Sequence, residues 1–212
     1  PRNTPVTQRV ISALAAACCA ITAARCPAAE ETQKPSIQYV SVTAPADAPK
    51  GMWMSAVIVD EMPLVYTRQL FATDGEGKLV GEGAAERQIE QVLTNLEAVL
   101  KDSGSGMNQL IRVNVYALSQ AIVASFHEQL AKRLDASVRP ATTSVLTPLP
   151  QQGALVAGDA VAGAADAGKA VTLKRCQAVA GDDRSADAAV LPAGGIAYLS
   201  GHPEVFSITT LP

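Results

Sequence analysis

The stretch AAERQIEQVLTNLEAVLKDSGSGMNQLIRVNVYAL, residues 84–118, decides the fold. Over residues 84–103 the apolar positions Ile89, Val92, Leu93, Leu96, Val99 and Leu100 recur at intervals of three and four, so they form one stripe of an α-helix. Gly104 is the expected stop, because glycine enters the left-handed conformation that ends helices. Residues 110–118 then alternate with a period of two, the pattern of a strand with one buried face. A helix burying one stripe beside a strand burying one face predicts a helix packed on a sheet.

Outward from this pair the same signals continue. Residues 122–134 return to helical spacing through Val123, Phe126, Leu130 and Leu134, and Arg139-Pro140 breaks the run. Residues 142–147 and 154–162 read as strands separated by Pro148-Leu149-Pro150. Upstream, residues 37–42, 52–59 and 64–70 read as strands, the last two joined by Asp60-Glu61-Met62-Pro63 as a hairpin. The expected architecture is α+β, a mixed sheet with two helices on one face. The uncovered face calls for self-association or an internal repeat.

Composition bounds the rest. The chain has 212 residues, a net charge of −3 and a sequence pI near 5.4. This removes the usual electrostatic reason to expect nucleic-acid binding, which needs clustered Lys and Arg. The uncharged run Val10–Ala24 follows Arg2 and Arg9 and precedes the first acids, Glu30 and Glu31, which is the order of a secretory signal. The run is shorter than the roughly 20 residues that span a bilayer. Export to the periplasm or the outside is expected, with residues 1–36 serving as signal and tether. Removing residues 1–29 takes away Arg2, Arg9 and Arg25 and no acid, leaving 14 basic against 20 acidic residues, or −6. Cys18, Cys19 and Cys26 lie in this leader, and Cys176 alone cannot build a disulfide framework or a four-ligand zinc site. A lipid anchor on Cys18 or Cys19 is disfavoured, since Ala15 or Ala16 stands where the acylation motif wants a large aliphatic.

One internal echo is visible. VDEMPLVY at 59–66 returns as LPAGGIAY at 191–198, an offset of 132 residues, each reading as strand end, turn and new strand closing on Tyr. The expected division is a complete domain over 37–180 and the opening hairpin of a second repeat over 181–212.

Few residue sets carry chemistry. Gly163 to Lys169 approximates a phosphate loop, but Ala170 replaces the magnesium-binding hydroxyl and the following VTLKRCQAV reads as strand instead of helix. Only His127 and His202 are present, in different repeats, so a His-based triad or two-His metal site is not expected. His127 borders the apolar stripe of its helix. Asp74 and Glu76 flank glycines in a solvated turn. Asp159 stands out because it interrupts the uncharged run LVAGDAVA at 155–162, so it is either edge-exposed or aimed into a pocket where desolvation would make it a usable base.

The segments LVYTRQL (64–70), GKLVG (77–81), QIEQVLTNLEAVL (88–100), IRVNVY (111–116), RPA (139–141) and DAVA (159–162) together resemble the RidA/YjgF family, also called L-PSP or reactive-intermediate deaminases. The resemblance implies a chorismate-mutase-like α+β fold, a homotrimer or pseudo-trimer with small-molecule pockets between subunits, and hydrolysis of amino-acid-derived imines or enamines to 2-oxo acids and ammonia without metal or cofactor. The family's arginine after Pro-Ala, which grips the substrate carboxylate, is replaced here by Thr142, followed by Thr143 and Ser144. Thr cannot supply a bidentate guanidinium. The family's glutamate aligns with Asp159, preceded at two positions by Ala157. Arg68, in a loop one residue shorter than the family's Ser-Gly-Gln pattern, is a candidate for the missing charge, with Arg139 a weaker one. Asp159 is the candidate catalytic residue, and Thr142, Arg68, Tyr66, Ser144 and His127 are the candidate binding residues. Deaminase activity is expected to be weak or altered. The competing expectation is a non-catalytic small-molecule binding or scaffold domain. Ribonuclease activity, attached to the family name, fits an acidic chain poorly.

Overall fold

The structure is a computed structural model that describes residues 36–41, 55–181 and 184–194. The leader with Cys18, Cys19 and Cys26, and residues 195–212 with Tyr198 and His202, lie outside the described residues. The elements are β1 (Ile37–Ser41), β2 (Ser55–Val59), β3 (Leu64–Thr67), β4 (Leu70–Phe71), α1 (Ala85–Asp102), β5 (Leu110–Ala117), α2 (Gln120–Arg133), β6 (Ala141–Leu146), β7 (Val156–Gly163), β8 (Thr172–Lys174) and β9 (Ala188–Leu191).

The main sheet runs β6-β5-β7-β3-β9-β8, with β4 also on β7. The β5–β6 pair is parallel and the others antiparallel, so the sheet is mixed. Both described helices pack on one face. The expected stripe of α1 is buried in full, against Val65, Leu70, Val113, Val115, Val156 and Ala160. At its end Gly104 takes φ 74°, the left-handed stop read from the sequence. Ser119 caps α2, its hydroxyl accepting from the Ile122 amide at 3.4 Å. On β7, a Cβ at Gly158 would meet Phe126 and Val92 at 3.5 Å and the Asn114 carbonyl at 3.4 Å, so a bare backbone lets both helices settle closely onto the sheet.

Two buried amides tie α1 to its surroundings. Gln88 Nε2 donates to the carbonyls of Gly81 (3.2 Å) and Gly153 (2.9 Å), while its Oε1 accepts from the Leu155 amide (2.8 Å). Asn95 Nδ2 donates to the carbonyls of Phe71 (2.9 Å) and Thr73 (2.8 Å).

The expected hairpin between 52–59 and 64–70 is corrected. β2 pairs with β1 in a separate two-stranded ribbon, Ile37 opposite Val59. The place beside β3 is held by β9, with Leu64 opposite Leu191. There β9 is fastened by a clamp: Arg68 Nε binds the buried Asp187 carboxylate at 2.8 Å, and the Arg68 amide donates to the Asp187 carbonyl at 3.0 Å. The β1–β2 ribbon lies instead against β5 and β6, where the Tyr39 hydroxyl donates to the Leu110 carbonyl at 2.8 Å.

Candidate functional site

The alternation that buries Val113, Val115 and Ala117 under the helices turns Arg112, Asn114 and Tyr116 to the other face of the sheet. The β5–β7 register sets Asn114 opposite Asp159, and the β3–β7 register sets Tyr66 opposite Val161. Asp159 thus sits on a central strand, half-buried, with its carboxylate on the helix-free face. Its Oδ1 accepts from Asn114 Nδ2 at 2.7 Å. Asn114 Oδ1 in turn accepts from Arg112 Nε at 3.1 Å, and Arg112 reaches the Thr143 hydroxyl at 3.4 Å. Tyr66, Thr67, Ile111, Arg112, Asn114 and Asp159 line a cavity of about 180 Å³. Burial and the neighbouring Asp159 carboxylate push the Tyr116 phenol above its ordinary value. The result is a carboxylate and a guanidinium bridged by one amide, with a phenol beside them.

Thr142 lies elsewhere. Its strand partner is Val113, a residue of the helix-covered face, and Ser144 follows the same alternation on an exposed edge strand. Thr142 lines a separate cleft of about 480 Å³ with His127, Leu130, Leu134, Val138 and Arg139. Burial lowers the His127 imidazole below its ordinary value, and its ring stands edge-on to Phe126 with centroids 6.4 Å apart. Arg139 Nη1 donates to the Val138 carbonyl at 3.1 Å. Within one chain, then, Asp159 and Tyr66 share a pocket, Thr142 and His127 share another, and the sheet separates them.

Arg68 joins neither. Besides Asp187 it donates to the carbonyls of Gln69 (3.2 Å) and Ala180 (2.6 Å), so its guanidinium fastens β3 to the segment around β9 instead of serving the pocket. Asp159's partners Asn114 and Tyr116, and Arg112 behind Asn114, were not singled out from the sequence. Their signal was the polar phase of IRVNVY, which becomes a site only once β7 pairs alongside.

The remaining motifs are structural. Asp74 Oδ1 accepts from the amides of Glu76 (3.0 Å) and Lys78 (2.9 Å), closing a turn. The glycine-rich segment before Lys169 leads into strand β8, not a helix, so no helix N-terminus is there to hold phosphate. Among the described residues no three His, Cys, Asp or Glu side chains gather at metal-binding distance, and no helix is long and apolar enough to cross a membrane.

A mixed sheet with two helices on one face and a polar cluster on the other defines an α+β domain of a recognisable kind. Residues 43–163 match the family described as Endoribonuclease L-PSP. The RutC family protein slr0709 of Synechocystis is 31% identical over 121 residues, which is 57% of this chain and 92% of that protein. Among solved structures, a Rid-family protein of unknown function, YyfB of Yersinia pestis, is 25% identical with a TM-score of 0.47, over 51% of this chain and 84% of its own. A YjgF-family member from Neisseria meningitidis is 21% identical with a TM-score of 0.42, over 62% of this chain and 98% of its own. The chain belongs to the L-PSP family, also known as RidA/YjgF.

Proposed function

We propose that the open-face pocket binds a small 2-imino or 2-oxo acid and supports imine hydrolysis at a reduced rate. The observation that carries this reading is the hydrogen-bonded line Asp159–Asn114–Arg112 beside a cavity. The Arg112 guanidinium holds the substrate carboxylate in the role the family gives to the position of Thr142. Asp159, oriented by Asn114, accepts a proton from water as it adds to the imine carbon. The carbinolamine that forms then expels ammonia as the nitrogen is protonated, leaving the 2-oxo acid. The rate falls below that of family members because an asparagine competes for the guanidinium and the bidentate grip of the usual arginine is missing.

Self-association through the open face and the β6 edge would bring Thr142 and Ser144 of one copy towards the pocket of another, and export rests on the leader's composition. The deciding experiment measures ammonia release from freshly generated 2-iminopropanoate. Turnover abolished by Asp159→Ala and weakened by Arg112→Ala supports the deaminase. Pyruvate binding without turnover, lost in Arg112→Ala, supports the binding-domain reading instead. Absence of both removes the open-face pocket as a ligand site.

A further inference from the structure

The place beside β3 has two candidate occupants in this chain. The offset of 132 residues that relates 59–66 to 191–198 also relates the two strands: Ala56-Val57-Ile58-Val59 corresponds to Ala188-Ala189-Val190-Leu191. Each belongs to an antiparallel ribbon, β1–β2 standing apart and β8–β9 forming the edge of the main sheet. In the structure β9 pairs with β3 as Leu64–Leu191, Val65–Val190 and Tyr66–Ala189. Moved by the same offset, β2 would pair as Leu64–Val59, Val65–Ile58 and Tyr66–Val57, closed by the four-residue turn Asp60–Pro63. The register that β9 occupies is therefore the one the turn after β2 would create.

Burial follows the same correspondence. Val190 and Ala188 are buried in the hydrophobic core at 3% and 2% exposure, whereas Ile58, the counterpart of Val190, is 53% exposed and Val40 on the same ribbon face is 38% exposed. The first ribbon thus shows solvent the apolar face that the second ribbon buries. The two strands differ mostly in apolar size, and only one position differs in charge. Asp187 holds Arg68 with Oδ1 at 2.8 Å and accepts from the Cys176 amide with Oδ2 at 2.9 Å, and its counterpart in the first ribbon is Ser55, which carries no charge.

We propose that β1–β2 and β8–β9 are alternative occupants of one ribbon-docking edge on β3, and that the Asp187–Arg68 ion pair selects the second. The exchange leaves the helices and β5–β7 in place and changes the neighbour of the pocket residue Tyr66 from Ala189 to Val57. It does not depend on the small-molecule reading.

Cross-linking of the full chain tests this. The V65C/V190C pair reports the second ribbon on β3 and the I58C/V65C pair reports the first, each identified by peptide mass so that the native thiols do not confuse the result. With Asp187 intact, V65C/V190C cross-links and I58C/V65C stays at background. Adding Asp187→Ser, which removes a charge-assisted contact, is expected to shift the ratio of the two yields about tenfold or more toward I58C/V65C. If V65C/V190C remains dominant and I58C/V65C stays at background, the proposal is overturned. Should Asp187→Ser abolish cooperative unfolding, Ser55→Asp in the otherwise native chain carries the decision. Giving the first ribbon the carboxylate must raise I58C/V65C cross-linking, and no rise overturns the proposal equally.

Discussion

The two faces of the sheet are built from the same strands and share no task. On β5, Val113 and Val115 are buried beneath α1 and α2 while Arg112, Asn114 and Tyr116 look the other way, and on β7 Ala160 is buried while its neighbour Asp159 takes part in the polar line. A period of two lets one strand serve a core and a site at once. The difference teaches that stability and ligand chemistry should respond to different substitutions on adjacent residues.

The strongest way to break the comparison is Phe126→Ala. This ring is fully buried between α2 and the sheet, and its truncation is expected to cost about 3–5 kcal/mol in urea unfolding. The measured affinity per folded molecule should stay unchanged. On the opposite face Arg112→Ala should do the reverse. It should weaken pyruvate binding by the equivalent of about 1.5–3 kcal/mol in calorimetric titration and leave the unfolding midpoint nearly where it was. A loss of stability there would mean that the polar line holds the fold.

Gln88→Ala sharpens the contrast, because Gln88, like Asn95, is a buried polar side chain on the helix-covered face. It would leave the Gly81 and Gly153 carbonyls and the Leu155 amide without their partner, for a loss of about 1–3 kcal/mol by chemical denaturation. The smallest effect concerns His127. Burial lowers its native pKa, so the unfolded chain takes up a proton first as pH falls. Stability is at its full value above the ordinary imidazole value of about 6.5 and declines as pH drops through it toward the native value. Urea midpoints at about pH 7.5 and about pH 5.5 should differ more for the native chain than for His127→Gln.

The helices and most strands were legible because their burial patterns are local. The stripe Ile89–Leu100 and the alternation Leu110–Leu118 each record one element's contact with the core, and both elements stand within two residues of the expected bounds. The β2–β3 hairpin was misread because Asp60–Pro63 is a competent turn, and local turn chemistry carries no trace of a competitor more than a hundred residues away. The site was legible by half. Asp159 announces itself as a lone charge in an apolar strand, while Arg68, a plausible partner on charge alone, is drawn away by Asp187.

By itself the sequence determined the α+β class, the two amphipathic helices, the face of each strand and the family, since these follow from periodicity and from side chains close together along the chain. Only the tertiary structure decided which ribbon lies on β3, which arginine stands near Asp159, and that Thr142 and Asp159 lie on opposite faces of the sheet. Those outcomes depend on strand order and register, which are set by competition among distant segments for the same backbone hydrogen bonds.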